Sequence, residues 1–128
     1  MVKLGYIALG GALGAVLRYA ISLIPFKPLG FPFMTFITNI LGSVIIGIIV
    51  GLVLAKPSLS GNFEGFFKIG FCGGFATFST FSLELVNLLA EREYVTGGVY
   101  ATTSIAFCIM GVALGEYLAD RIARGYFF

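Results

Sequence analysis

The residues of this chain best suited to chemistry are hydroxyls, one amide and a pair of aromatic rings set inside apolar sequence. The run Gly73-Gly74-Phe75-Ala76-Thr77-Phe78-Ser79-Thr80-Phe81-Ser82 joins adjacent glycines, four hydroxyls and three phenylalanines. A glycine pair within a span marks a place where a helix can break. Unwound backbone is tolerated there only inside protein or beside a water-filled cavity. A helix resuming after the break puts Phe78 and Phe81 on one face. Thr35, Asn39 and Ser43 form a polar stripe at i, i+4 and i+8, and Tyr100, Ser104 and Cys108 form a second, widened by Thr103 and Phe107. The Asn39 amide offers two donors and an acceptor. Freed carbonyls are cation ligands, whereas a ring presents a positive edge that favours an anion. The chemistry within reach is coordination of a small ion by neutral groups.

Each feature also has a plainer role. Asn39 serves equally as glue between helices, the hydroxyls of the second stripe can bond back to the preceding turn, and the phenylalanines can simply fill a core. Arg18, near the end of the first apolar segment, either snorkels to the interface or draws anions at a vestibule. Glu84, one turn beyond Phe81, is the only acid well inside a span and takes protons or pairs with a neighbour. The chain has no histidine and no pair of neighbouring buried carboxylates. It also lacks phosphate-loop and dinucleotide patterns. Acid–base and metal-hydrolase chemistry therefore lack their parts, and the chain is read as no enzyme.

These groups must be placed by membrane helices. Of 128 residues, 59% are hydrophobic and 11% charged, against about a quarter charged in a soluble domain. Four segments approach the roughly 20 residues a bilayer span needs. They are 4–24, 33–54, 66–89 with its interruption near Gly73-Gly74, and 96–118. Short loops leave one domain, residues 1–128, with no soluble module. The first segment reads as a span, not a cleaved signal, because Arg18 and Tyr19 stand where small residues would precede cleavage. A net charge of +2 with no basic run gives no nucleic-acid partner. Cys72 and Cys108 lie in apolar sequence and read as small hydrophobes.

Small residues recur at packing distance: Gly10 and Gly14, then Ser43, Gly47 and Gly51, then Gly111 and Gly115. Such stripes let helices approach closely in lipid, within one subunit or between subunits. Charge specifies orientation poorly. One side would carry Lys3, Lys56, Lys68, Arg121 and Arg124, the other Arg18, Lys27 and Arg92, so the chain could insert both ways.

The segment from Gly70 to Phe81, GFCGGFATFSTF, resembles the signature of the Fluc (CrcB) fluoride channels. Gly10 to Tyr19, Thr38 to Gly42, and Tyr100 with Ser104 match as well, so the resemblance extends over all four spans. It implies an all-α integral membrane protein of the prokaryotic plasma membrane, with four helices per subunit and an antiparallel dual-topology homodimer. Two fluoride pores and a central structural sodium would follow. By motif position, the carbonyls of Gly73 and Ala76 would hold the sodium. Phe78, Phe81 and Asn39 would line the pore, Tyr100 and Ser104 would form a polar track, and Thr77, Ser79 and Thr80 would stand nearby. The family usually has Thr where Ala76 stands, and a hydroxyl where Cys108 stands.

The function so implied is passive, fluoride-selective export driven by an inside-negative potential. Fluoride enters as neutral HF and ionises in the cytoplasm. Weak donors in series replace its water without trapping it. A proton-coupled small multidrug exporter shares the size and dual topology but depends on an acid in span one, where this chain has Arg18 and no carboxylate. A non-transporting scaffold would need the glycines alone and leave the polar stripes without purpose.

Overall fold

Prolines punctuate the chain where its helices turn. Pro25 and Pro28 follow the first helix, Pro32 precedes the second and Pro57 follows it, each removing an amide that a continuing helix would need. The computed structural model describes residues 1–125, which contain helices and turns and no strand. Helix α1 spans Val2–Ser22 and α2 spans Phe33–Ala55. A short α3, Asn62–Glu64, runs into a π-helical segment, Gly65–Cys72, and then into α4, Gly73–Phe75. Helices α5, Phe78–Ala90, and α6, Tyr94–Ala123, complete the chain. Short 3₁₀ turns at Pro28–Gly30 and Pro57–Leu59 sit in the first two connections.

Four stretches are long and apolar enough to cross a membrane: Val2–Ser22, Phe33–Ala55, Asn62–Ala90 and Tyr94–Ala123. At about 1.5 Å per residue even the shortest matches a hydrocarbon core of about 30 Å. The protein is a multi-pass membrane protein. Helix α6 is longer than its apolar segment, and the charged residues Asp120 and Arg121 lie in its last turn. Arg124, just past its end, pairs with Asp120 at 3.1 Å.

The helices pack with small residues inward and large ones outward. On α1, Leu9, Leu13 and Val16 are exposed while Gly10 and Gly14 are buried. Two glycine seams result. Along the first, a Cβ on Gly70 would lie 2.5 Å from the Ile7 carbonyl, and one on Gly74 2.5 Å from that of Gly11. From the other side, Gly10 and Gly14 admit the Phe66 and Phe71 carbonyls. Along the second seam, Gly47 and Gly115 let α2 and α6 meet backbone to backbone, and a Cβ on Gly51 would stand 2.5 Å from that of Ala119. Close approach of backbones supplies the dispersion contacts that hydrophobicity cannot supply in lipid. The stripes read in the sequence thus pack helices within the subunit.

The third span departs from the expected register. Gly73 keeps helical dihedrals at φ −63° and ψ −35°, and α4 contains Gly74. Extended conformations fall instead at Ala76 (φ −88°, ψ 145°) and Thr77 (φ −145°, ψ 121°). Gly74 is needed for the approach to α1, so this glycine serves packing, not backbone freedom. Helix α5 then starts with Thr77 as its N-cap, the Oγ1 accepting from the Thr80 amide at 3.2 Å. Phe81, Leu88 and Tyr100 form a buried cluster between α5 and α6, with Phe31, Phe36, Leu85 and Ala101 against it.

Candidate functional site

The first polar stripe lies on α2, the second on α6, and α2 packs along α6 through the second glycine seam. A cleft of about 260 Å³ brings two members of each stripe together with the extended segment. Its lining comprises Asn39 and Ser43 from α2, Ala76, Thr77, Phe78 and Phe81 from the third span, and Ser104, Ile105 and Cys108 from α6.

Most hydroxyls near it are engaged by their own helix. Thr38 donates to the Met34 carbonyl at 2.6 Å, Ser43 to that of Asn39 at 2.8 Å and Thr103 to that of Val99 at 2.6 Å. Ser104 differs. It is 5% exposed and its Oγ has no hydrogen-bond partner among the described residues. A buried hydroxyl left in this state calls for an explanation, and an incoming ligand is one.

Asn39 does more than line the cleft. Its Oδ1 accepts from the Thr77 amide at 2.8 Å, and its Nδ2 donates to the Thr77 carbonyl at 3.2 Å. One of the two Nδ2 hydrogens remains for other partners. The rings of Phe78 and Phe81 lie 5.5 Å apart between centroids, tilted by 38°. Phe78 is 77% exposed, whereas Phe81 is buried against Tyr100 at 5.0 Å.

Other anticipated residues lie elsewhere. Tyr100 is fully buried, does not line the cleft, and donates to Glu84 Oε1 at 3.3 Å. Thr80 and Glu84 line a separate cavity of about 390 Å³ with Ser22, Lys27 and Thr35. A small cavity of about 30 Å³ shares Ser22, Thr35 and Thr80 with that one and Thr77 with the cleft. Thr77 is the residue common to the cleft and this outer space. Arg18 borders the small cavity, and its Nε donates to the Gly74 carbonyl at 3.0 Å, so it is bound to the third span. Gly73 is exposed. Among the described residues no cluster of three or more His, Cys, Asp or Glu could hold a metal.

Sequence reasoning missed the two-point pairing of Asn39 with Thr77 and the Arg18–Gly74 bond. Their only signal was a carboxamide and a guanidinium in apolar helices, which must find polar partners somewhere. Ile105, an apolar part of the lining, gave no signal at all.

A family model described as CrcB-like protein, Camphor Resistance (CrcB), matches residues 5–116. The chain belongs to the CrcB family. Among its relatives is a protein of Ruminiclostridium cellulolyticum named fluoride-specific ion channel FluC. It is 44% identical over 125 residues, covering 96% of each chain. One from Ignicoccus hospitalis bears the same name at 39% identity, covering 97% of this chain and all of its own. A third, fluoride-specific ion channel FluC 1 of Staphylococcus aureus, is 40% identical over 118 residues, covering 89% of this chain and 97% of its own.

Proposed function

We infer that this protein is a passive, fluoride-selective channel that lets the anion leave the cytoplasm down its electrochemical gradient. The observation that carries the reading is Ser104: a buried hydroxyl without a partner, facing a cleft shared with the Asn39 amide and two phenylalanine rings. In a chain of this family, whose relatives are named for fluoride, that set supplies neutral donors and ring edges in series. Neutral donors hold a strongly hydrated anion weakly enough to release it. An inside-negative potential of 100 mV drives each anion outward with about 2.3 kcal/mol.

The same reading extends to assembly. Two subunits in opposite orientations form a homodimer with two pores, which suits a lysine and arginine distribution that favours one face only weakly. The third span is broken at membrane depth. The carbonyls of Gly73 and Ala76 from each subunit would hold a central structural sodium. Carbonyl oxygens of unwound backbone suit an alkali ion. Gly73 fits because it is exposed and the Thr77 amide, which a continuous helix would direct at its carbonyl, goes to Asn39. Bound there, sodium would neutralise facing carbonyl dipoles and join the subunits. Residues 1–128 act as one channel domain without catalysis. The drug-exporter alternative needs an acid in α1, which this helix lacks.

The deciding experiment is fluoride efflux from liposomes holding the purified protein. Rapid fluoride release with chloride retained is the expected result. Release no faster than from protein-free vesicles would overturn the reading.

A further inference from the structure

A carboxamide has the same donor and acceptor pattern as a peptide unit, and Asn39 uses it on a single residue. Oδ1 takes the Thr77 N–H and Nδ2 serves the Thr77 C=O, at 2.8 and 3.2 Å. In extended backbone the N–H and C=O of one residue point to the same side, as they do when two strand residues exchange bonds. In a helix they point in opposite directions along the axis. One side chain can therefore pair with both groups only when the residue is extended. The pairing also redirects the Thr77 amide, which an unbroken helix would give to Gly73, four residues back.

Arg18 acts one turn earlier. Its Nε donates to the Gly74 carbonyl at 3.0 Å, a group near the end of α4 that loses its helical donor once Ala76 and Thr77 are extended. A guanidinium there also meets the negative end of the preceding helix. The two clamps come from different helices, α2 and α1, and hold the two residues from both ends.

We propose that Asn39 and Arg18 are positioning residues that jointly hold Ala76 and Thr77 extended, so that Phe78 and Thr77 face the cleft. Asn39 keeps one amide hydrogen for the cleft, but its main task is backbone conformation. Arg18 serves the same task and is not a free charge for gathering anions. The consequence for flux rests on the channel reading above; the conformational claim stands without it.

The test is amide hydrogen exchange, read by NMR on the full-length ¹⁵N-labelled protein in nanodiscs. In the unaltered protein the Thr77 amide should exchange as slowly as the hydrogen-bonded amides in the middle of α5. Asn39→Ala should speed it by about tenfold or more, the loss expected for a buried hydrogen bond. Arg18→Met, which keeps the aliphatic stem, should also speed exchange at Ala76 and Thr77. Because both residues hold one unit, the double variant should exchange little faster than the faster single variant. Leu85, mid-helix in α5, should not change. Should Asn39→Ala fail to fold, Asn39→Asp retains the acceptor without the donor and should give a smaller acceleration.

A Thr77 amide as fast in the unaltered protein as those of the Pro25–Pro32 loop would overturn the proposal without any variant. Unchanged exchange in Asn39→Ala, or additive effects in the double variant, would overturn it too. Fluoride efflux measured in parallel should fall in both single variants. Absent efflux from the unaltered protein sinks the channel reading, while the exchange pattern still decides the clamp.

Discussion

Two regions of this small bundle use their residues in opposite ways. Along the glycine seams, backbone meets backbone and a single added carbon has nowhere to go. In the cleft between the seams, Ser104 has no partner among the described residues, Phe78 is mostly exposed, and about 260 Å³ stays open. The seams are complete without anything else; the cleft is not. Stability is therefore concentrated where side chains are absent, and the capacity to handle an ion where side chains are left unsatisfied. The two regions also depend on each other, since the close approach of α2 to α6 is what sets Asn39 and Ser43 opposite Ser104 and Cys108.

The largest effects should come from breaking a seam. Gly115→Leu would drive a branched side chain into the Val44 carbonyl, with the Ile48 amide 2.8 Å from its Cβ. Separating the helices to admit it should prevent folding, seen as aggregation in size-exclusion chromatography. Gly115→Ala should cost about 1–3 kcal/mol, the usual range for overpacking. Gly98 and Gly5 are helical glycines with nothing within 4 Å of an added Cβ. There Ala should stabilise by about 0.5–1 kcal/mol through backbone entropy. Opposite shifts in thermal midpoint for Gly115→Ala and Gly98→Ala would sharpen the contrast. Equal shifts would break it.

Ser104→Ala should show the reverse pattern in the cleft. It removes a buried hydroxyl without a partner, so the folded protein should lose no stability or gain slightly. Fluoride efflux should fall by about tenfold or more, since a hydrogen bond to a charged group contributes about 1.5–3 kcal/mol. Intact efflux with lowered stability would make Ser104 a packing residue.

Much of this division was legible in the sequence. Four spans followed from composition, because lipid demands long apolar helices whatever the fold. The second seam and the α1 half of the first followed from glycine spacing, a local pattern that survives without knowledge of the partner helix. Gly74, by contrast, reads in the sequence as part of a break and not as packing. The two polar stripes were visible at i, i+4 and i+8. Their pairing across one cleft depends on the rotation of α2 and α6 about their axes, which no periodicity in one helix can give. The extended residues were harder still. Gly73-Gly74 drew attention as the weakest helix formers, yet the conformation at Ala76 and Thr77 goes with two distant side chains, Asn39 and Arg18. Tyr100 is a related case: its ring completes a core with Phe31 and Phe81, a packing that no pattern on α6 alone can give.

The two phenylalanines carry the comparison into a single pair. Phe78→Ile exchanges a ring that is 77% exposed, so stability should change by less than about 0.5 kcal/mol. Efflux should still fall by about threefold to tenfold if its ring edge serves the anion, given about 0.5–1.5 kcal/mol for such aromatic contacts. Phe81→Ile removes a ring from the buried cluster with Tyr100 and Leu88. It should lower both efflux and the thermal midpoint. The ratio of the two losses, measured on the same preparations, separates a ring that serves the ion from one that also holds α5 against α6.

The smallest effect should come from Cys108, which lines the cleft one turn beyond Ser104. A thiol is a weaker donor than a hydroxyl, so Cys108→Ser adds a stronger donor to the series without changing its spacing. Thr103 shows that a hydroxyl on this helix can turn back to the carbonyl four residues earlier, and the introduced hydroxyl would have the Ser104 carbonyl within the same reach. That competition should hold the change in efflux to within about threefold, in the direction of faster conduction, with stability unaltered. A large loss of efflux would mean that the thiol's low polarity is itself required, because a second strong donor beside Ser104 then binds the anion too tightly to release it. In that case the cleft is tuned by what it withholds as much as by Ser104, and incompleteness extends along α6 for a full turn.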